Sequence, residues 1–203
     1  ICEQLGVDAF KVRELVNSCP GRQMLLPGAG VGGHCLPKDS WLLVHGGQGA
    51  RPRLIPTARE LNDSMPQHVA MLVLNALKEA GLEVGPEICV GIFGLSYLEN
   101  MGDVRNTPSR PLIDDLGRHR LGLIAHDPYV DEFDGVELID DIEEALRMSD
   151  CAVFVTAHAE YRQLDLKRVS ELMRTRVIVD GRNLFDKDAV MSLGFVYRGV
   201  GKG

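Results

Sequence analysis

The spacing of apolar residues divides the chain into two regions with different periods. In the first, apolar positions recur at three and four residues. Phe10, Val12, Leu15 and Val16 predict a helix over residues 9–17, with Asp8 as N-cap and Cys19-Pro20-Gly21 as breaker. Leu61, Met65, Val69, Leu72, Val73, Ala76 and Leu77 predict a long helical segment over 57–80. Pro56 opens it, Gly81 closes it, and Pro66 bends or splits it. A stripe of this kind packs on a domain or on a partner subunit. Residues 21–33 carry no period, and Pro37 opens a short helix through Val44 that Gly46-Gly47 ends.

After Gly85-Pro86 the pattern changes to short continuous apolar runs at 88–93, 122–125, 152–156 and 177–179. Amphipathic helical segments lie between them at 111–118, 142–148 and 166–173. Continuous runs fit strands buried on both faces, and strand–helix alternation predicts a parallel, doubly wound sheet. The predicted class is α/β: a helical segment over residues 1–84, then a Rossmann-like domain over 85–203. Ligands of such sheets sit beyond the carboxyl ends of the strands. That edge comprises residues 94–105, Asp127-Pro128, 156–158 and 180–183.

Charge sharpens the division. The net charge of -7 lies wholly in the second region, because residues 1–84 hold equal numbers of acidic and basic side chains. This balance argues against general nucleic-acid binding, and a phosphorylated ligand would have to be held by local groups. No apolar run reaches the length of a membrane span and no signal peptide is evident. The five cysteines form no CxxC pair, which points to a reducing cytoplasm rather than a disulfide framework. Residues 1–6 read as the last turn of a helix, so the chain is expected to begin inside a longer protein.

The candidate chemistry centres on Pro27-Gly28-Ala29-Gly30-Val31-Gly32-Gly33-His34-Cys35-Leu36-Pro37-Lys38-Asp39. Gly28, Gly30, Gly32 and Gly33 leave the backbone bare for a close ligand. Cys35 precedes a Pro-initiated helix, whose free N–H groups and dipole favour a thiolate nucleophile, and Lys38 adds a positive charge. A small buried thiol is the alternative that the chemistry alone leaves open. His34 suits a structural or substrate-contacting role better than a base. Asp39 lies one turn on, where it either positions a water or pairs with Lys38. Gly91-Ile92-Phe93-Gly94 is a weak dinucleotide signal, since Phe93 replaces a glycine. Arg105 suits a bidentate phosphate contact or an ion pair with Asp103, and Arg182 is a further candidate at the same edge.

Together these residues resemble the UDP-glucose/GDP-mannose dehydrogenase family. Residues 27–39 are similar to its PGxGxGGxCxPKD loop, and Gly94-Leu95-Ser96-Tyr97 through Asp103-Val104-Arg105-Asn106-Thr107-Pro108 to its GLAYKxxxxDxRxSP segment. Asp127-Pro128-Tyr129-Val130, Val179-Asp180-Gly181-Arg182-Asn183 and Gly199-Val200-Gly201-Lys202-Gly203 follow in the family's order. The resemblance implies the latter part of a central dimerisation domain (1–84) and a UDP-sugar-binding domain (85–203) of a homodimer or higher homo-oligomer. It also implies NAD as cofactor, bound mainly outside this chain, and no turnover by the chain alone. The implied reaction is a two-step oxidation of a sugar C6 alcohol to a carboxylate through Cys35, with Asp39 handling water. Amides around Gly28–Gly33 would contact the sugar nucleotide, Arg105 the cofactor diphosphate and Arg182 the nucleotide. His34, with Arg59-Glu60-Leu61-Asn62-Asp63-Ser64-Met65-Pro66, is most similar to the UDP-N-acetylhexosamine branch. There Arg59 and Asn62 would reach the sugar of the same or a neighbouring subunit. UDP-glucose and GDP-mannose remain alternative substrates, and a non-catalytic binding or dimerisation module or a redox-sensing domain remain alternative functions. One departure stands out: Leu98 and Glu99 replace the family's lysine segment, where a carboxylate would repel phosphate.

Overall fold

The continuous apolar runs form parallel strands because every second residue enters a different core. The computed structural model describes residues 1–47 and 49–203. Its strands are β1 (Cys89–Phe93), β2 (Gly122–His126), β3 (Glu137–Leu138), β4 (Cys151–Phe154), β5 (Val177–Asp180) and β6 (Val196–Gly199). They make one six-stranded sheet in the order β3-β2-β1-β4-β5-β6, with every neighbouring pair parallel. Ile92, Val153 and Val179 point to one face, and Phe93, Phe154 and Ile178 to the other. The strand order reverses between β1 and β4, which places the expected ligand crevice at their carboxyl ends.

The chain opens with α1 (Cys2–Leu5), α2 (Ala9–Asn17) and α3 (Cys35–Gly46). Asp8 caps α2 as predicted, its carboxylate accepting from the N–H groups of Phe10 and Lys11. The predicted segment over 57–80 is two helices, α4 (Leu54–Asp63) and α5 (Met65–Glu79), divided at Ser64. Pro66 sits in the first turn of α5, where its missing N–H has no intrahelical duty. The break turns Leu61 out to solvent, so it leaves the stripe to which its spacing assigned it. Gly81 takes φ +75°, and Leu82 N–H donates back to the Leu77 carbonyl, which ends α5 as a left-handed turn.

The remaining helices are α6 (Ser109–Arg118), α7 (Ile142–Met148), α8 (Ala159–Arg162), α9 (Leu166–Leu172) and α10 (Lys187–Ser192). Val69, Val73, Ala76 and Leu77 of α5 join Leu112 and Leu116 of α6 on one face of the sheet. Leu146, Tyr161, Val169 and Val190 cover the other. Thus α5 shares its core with the sheet that follows it. The closing residues tie α1 and α2 to the same body. Gly201 N–H donates to Glu3, Ala9 N–H to the Gly201 carbonyl, and Lys202 pairs with Asp8 at 2.7 Å. By contrast α3 and α4 bury no residue, and Leu42, Leu43, Leu54 and Leu61 are exposed. Among the described residues, no helix is long and apolar enough to cross a membrane.

Candidate active site at the carboxyl edge of the sheet

The glycine loop docks on the segment that follows β1. Gly33 N–H donates to the Arg105 carbonyl at 2.9 Å, and Asn106 Nδ2 donates to the Gly33 carbonyl at 2.8 Å. Val31 N–H donates to Asn62 Oδ1 at 3.1 Å. A Cβ on Gly32 would lie 2.5 Å from Tyr97 Cβ and 2.6 Å from the Asn106 carbonyl oxygen. On Gly33 it would meet the Tyr97 ring at 2.8 Å, and on Gly28 it would meet Arg182 Nη1 at 2.6 Å. The space that bare backbone was expected to leave for a ligand is filled, at these three glycines, by the protein's own side chains. Gly30 instead borders a cleft, described below. Gly32→Ala is expected to destabilise the protein by about 1–3 kcal/mol through overpacking. Thermal unfolding should show the loss beside Gly46→Ala, whose Cβ meets nothing within 4 Å.

This docking presents α3 at the sheet edge. Cys35 is its first residue, two positions earlier than the proline suggested, because Pro37 is tolerated anywhere in a first turn. The thiol is exposed at the helix's positive end rather than buried. His34 is the exposed N-cap residue and its side chain makes no capping bond. Asp39 pairs with Lys38 at 3.3 Å, and both remain open to water. Arg105 binds Asp103 through two nitrogens, Nε at 2.9 Å and Nη2 at 2.5 Å. That hydrogen bonding holds Arg105 above its ordinary range.

A buried polar cluster stands behind these residues. The Asp127 side chain, fully buried at the end of β2, accepts from Leu95 N–H at 2.7 Å, Ser96 N–H at 3.1 Å and Tyr129 N–H at 2.9 Å. Its fourth partner is His158 Nε2 at 3.1 Å. Asn100 N–H donates to His158 Nδ1 at 2.9 Å, so the imidazole proton resides on Nε2 and faces the carboxylate. Burial raises the Asp127 pKa, but the bonds from His158, Leu95 and Tyr129 outweigh it and hold the carboxyl below its usual range. The spacing of Asp127 and His158 gave no sign of this pairing; an aspartate closing one strand run and a histidine just past another were the available signals.

The cluster bears on the cofactor. A dinucleotide-binding sheet holds a diphosphate on the amides after its first strand and a ribose on an acid after its second. Here the acid after β2 occupies the amides after β1, and residues 94–108 separate that strand from α6. The residues of this sheet do not fit NAD in that manner.

Arg182 is the contrasting cation. It is half-buried against Gly28, and its guanidinium has no hydrogen bond or ion pair among the described residues. Burial lowers its pKa, and Glu99 opposes that effect. A desolvated cation without a counterion favours an incoming anion. Arg59 is bound to Asp63 at 2.5 Å, with its Nε buried and unpartnered. Asn62 braces the loop through Val31 and also lines a cleft of about 610 Å³. Gly30, Asn106, Pro108, Arg110 and Phe133 share that cleft, while Cys35, Arg59 and Arg182 lie outside it.

Two family profiles match the chain, both of the UDP-glucose/GDP-mannose dehydrogenase family: its central domain over residues 1–64 and its UDP binding domain over 91–187. The UDP-N-acetyl-D-mannosamine dehydrogenase of Methanococcus aeolicus is 34% identical, over 100% of this chain and 45% of the relative. The NDP-N-acetyl-D-galactosaminuronic acid dehydrogenase of Methanosarcina mazei superposes with a TM-score of 0.92 at 35% identity, over 99% of this chain and 45% of that one. The UDP-D-ManNAc dehydrogenase of Pyrococcus horikoshii superposes with a TM-score of 0.88 at 33% identity, over 100% of this chain and 46% of that one. The chain therefore spans slightly under half the length of these relatives. It belongs to the UDP-glucose/GDP-mannose dehydrogenase family.

Proposed function

We propose that the chain is the nucleotide-sugar-binding and thiol-bearing portion of a UDP-N-acetylhexosamine 6-dehydrogenase. The observation that carries this reading is the docking of the Cys35 loop onto the carboxyl edge of the sheet. Gly28 lies against Arg182, and Gly33 is bonded to the backbone of Arg105 and the side chain of Asn106. One docked loop thereby carries the exposed thiol at one end and packs Gly28 on an unpartnered cation at the other. Arg182 would bind the diphosphate, and the amide of Gly30, which borders the cleft and has no partner among the described residues, would face the sugar. Residues 1–84 serve as the central part and 85–203 as the nucleotide part, with α5 as the seam between them.

NAD, which residues outside this sheet would hold, would accept hydride in both oxidations. This chain supplies the covalent step. The Cys35 sulfur would add to the C6 aldehyde carbon as the C=O π bond opens and its oxygen takes a proton, giving a thiohemiacetal. Once that carbon is oxidised to the thioester, water would attack it, the C–S bond would break, and the acid and the free thiol would be released. Asp39, exposed and one turn from the thiol, orients that water or takes its proton. Arg105 lies toward the cofactor side, and Arg59 with Asn62 and His34 completes the sugar's surroundings. The apolar faces of α3 and α4 fit association with a second subunit. The five free cysteines fit a cytoplasmic setting.

Isothermal titration with UDP and UDP-N-acetylmannosamine tests the reading. Micromolar binding is expected, weakened about 10- to 100-fold by Arg182→Gln. Glu99, a carboxylate where phosphate would be bound, favours one alternative, an assembly module that has lost its ligand. No detectable heat at millimolar UDP would establish that alternative instead.

A further inference from the structure

Leu98 and Glu99 stand where the resembled segment carries lysine, and the fold brings another cation, Arg162, to the same loop. The loop bearing them is fastened to the start of α8. Asn100 N–H donates to His158 Nδ1 at 2.9 Å, and Ala159 N–H donates to Asn100 Oδ1 at 2.8 Å. The helix cannot roll, because Tyr161 is fully buried and its hydroxyl donates to the His126 carbonyl at 2.8 Å. Arg162, the next residue, is thereby carried to the rim, where its Nη2 stands 3.4 Å from Glu99 Oε2. Both side chains are about half exposed. Arg162 follows β4 and Arg182 follows β5; these strands are neighbours, and Gly181 N–H donates to the Phe154 carbonyl at 2.9 Å, so both cations rise from the same stretch of the sheet's carboxyl edge.

We infer that Arg162 is the second cation of the diphosphate subsite, standing with Arg182 in place of a lysine at position 98, and that Glu99 holds it there until the ligand arrives. The inference rests on the nucleotide-sugar reading given above. A charge-assisted bond between optimally placed groups measures about 2.7–2.9 Å, so the pair at 3.4 Å is loose. Exposed pairs of this kind contribute little. A diphosphate carries more charge than one carboxylate and can draw both guanidinium groups at once, leaving Glu99 to solvent.

The test is titration of the chain with UDP and with uridine, which lacks phosphate. Arg162→Gln is expected to weaken UDP binding about tenfold and leave uridine unchanged. Adding Leu98→Lys to that variant is expected to restore most of the loss. Unchanged UDP affinity in Arg162→Gln, while Arg182→Gln weakens it, overturns this inference and leaves the nucleotide-sugar reading standing. A parallel loss of UDP and uridine, or no recovery with Leu98→Lys, also overturns it. Absence of UDP binding by the unmodified chain overturns the underlying reading and this inference with it.

Discussion

Replacing Cys35 by serine is expected to reduce net acid formation by a factor of at least about 10³ in the active dehydrogenase. The expectation follows from position as much as from thiol chemistry. Cys35 is exposed at the first position of a twelve-residue helix, on a loop that cannot shift freely because its Gly33 is bonded to Arg105 and Asn106 and its Val31 to Asn62. A serine hydroxyl fits the same place without disturbing that packing, so folding should be unaltered. Substrate binding should also survive, since the sulfur contributes little to it. The measurement is acid produced per enzyme from the nucleotide sugar, followed alongside consumption of the aldehyde. Stalling at the aldehyde, with ligand affinity retained, supports covalent catalysis. Acid accumulating at the unmodified rate would remove Cys35 from the mechanism and leave its conspicuous loop as a structural feature only.

The sequence made the strands readable because their cores are continuous, and it made α2 readable because a capping aspartate precedes its stripe and α7 because its apolar residues recur at helical spacing. Strand β3 was not readable: it has only two residues, Glu137 and Leu138, and no periodicity can be seen in two. Strand β6 carries exposed Arg198 at the sheet's edge, which interrupts the apolar run. Helices α8 and α10 have four and six residues, too short to show a stripe. The thiol loop was visible as a motif, but the reason for its glycines was not. What a glycine accommodates is set by neighbours distant in sequence, here Tyr97, Asn106 and Arg182. The same applies to Asp127 and His158. Each looked like a strand-end polar residue, and only the parallel pairing of β2 with β1 and of β1 with β4 brings them together.

Asp127 supplies the second large expected effect, on stability. Its carboxylate satisfies four donors in a region without solvent, so Asp127→Ala would strand the Leu95, Ser96 and Tyr129 amides and the His158 ring. Breaking a buried charged network of this kind costs about 3–5 kcal/mol. In a chain of this size that corresponds to a Tm lowered by roughly 10 °C. The effect should depend on pH in a definite direction. The folded carboxyl titrates below its ordinary range, which is near 3.9 in an unfolded chain. A depressed pKa contributes stability that is fully present above the unfolded value and is lost as pH falls through the folded one. The gap in Tm between the unmodified protein and Asp127→Ala should therefore be constant from about pH 7 to pH 5 and narrow below about pH 4. Asp127→Asn should behave similarly at neutral pH, because its amide presents two donors to a site built entirely of donors. A gap that stays constant down to pH 3 would mean the carboxylate's charge is not what holds the loop after β1. In that case the docking of the Cys35 loop on that segment would rest on the packing of Tyr97 and the bonds of Gly33 with Arg105 and Asn106.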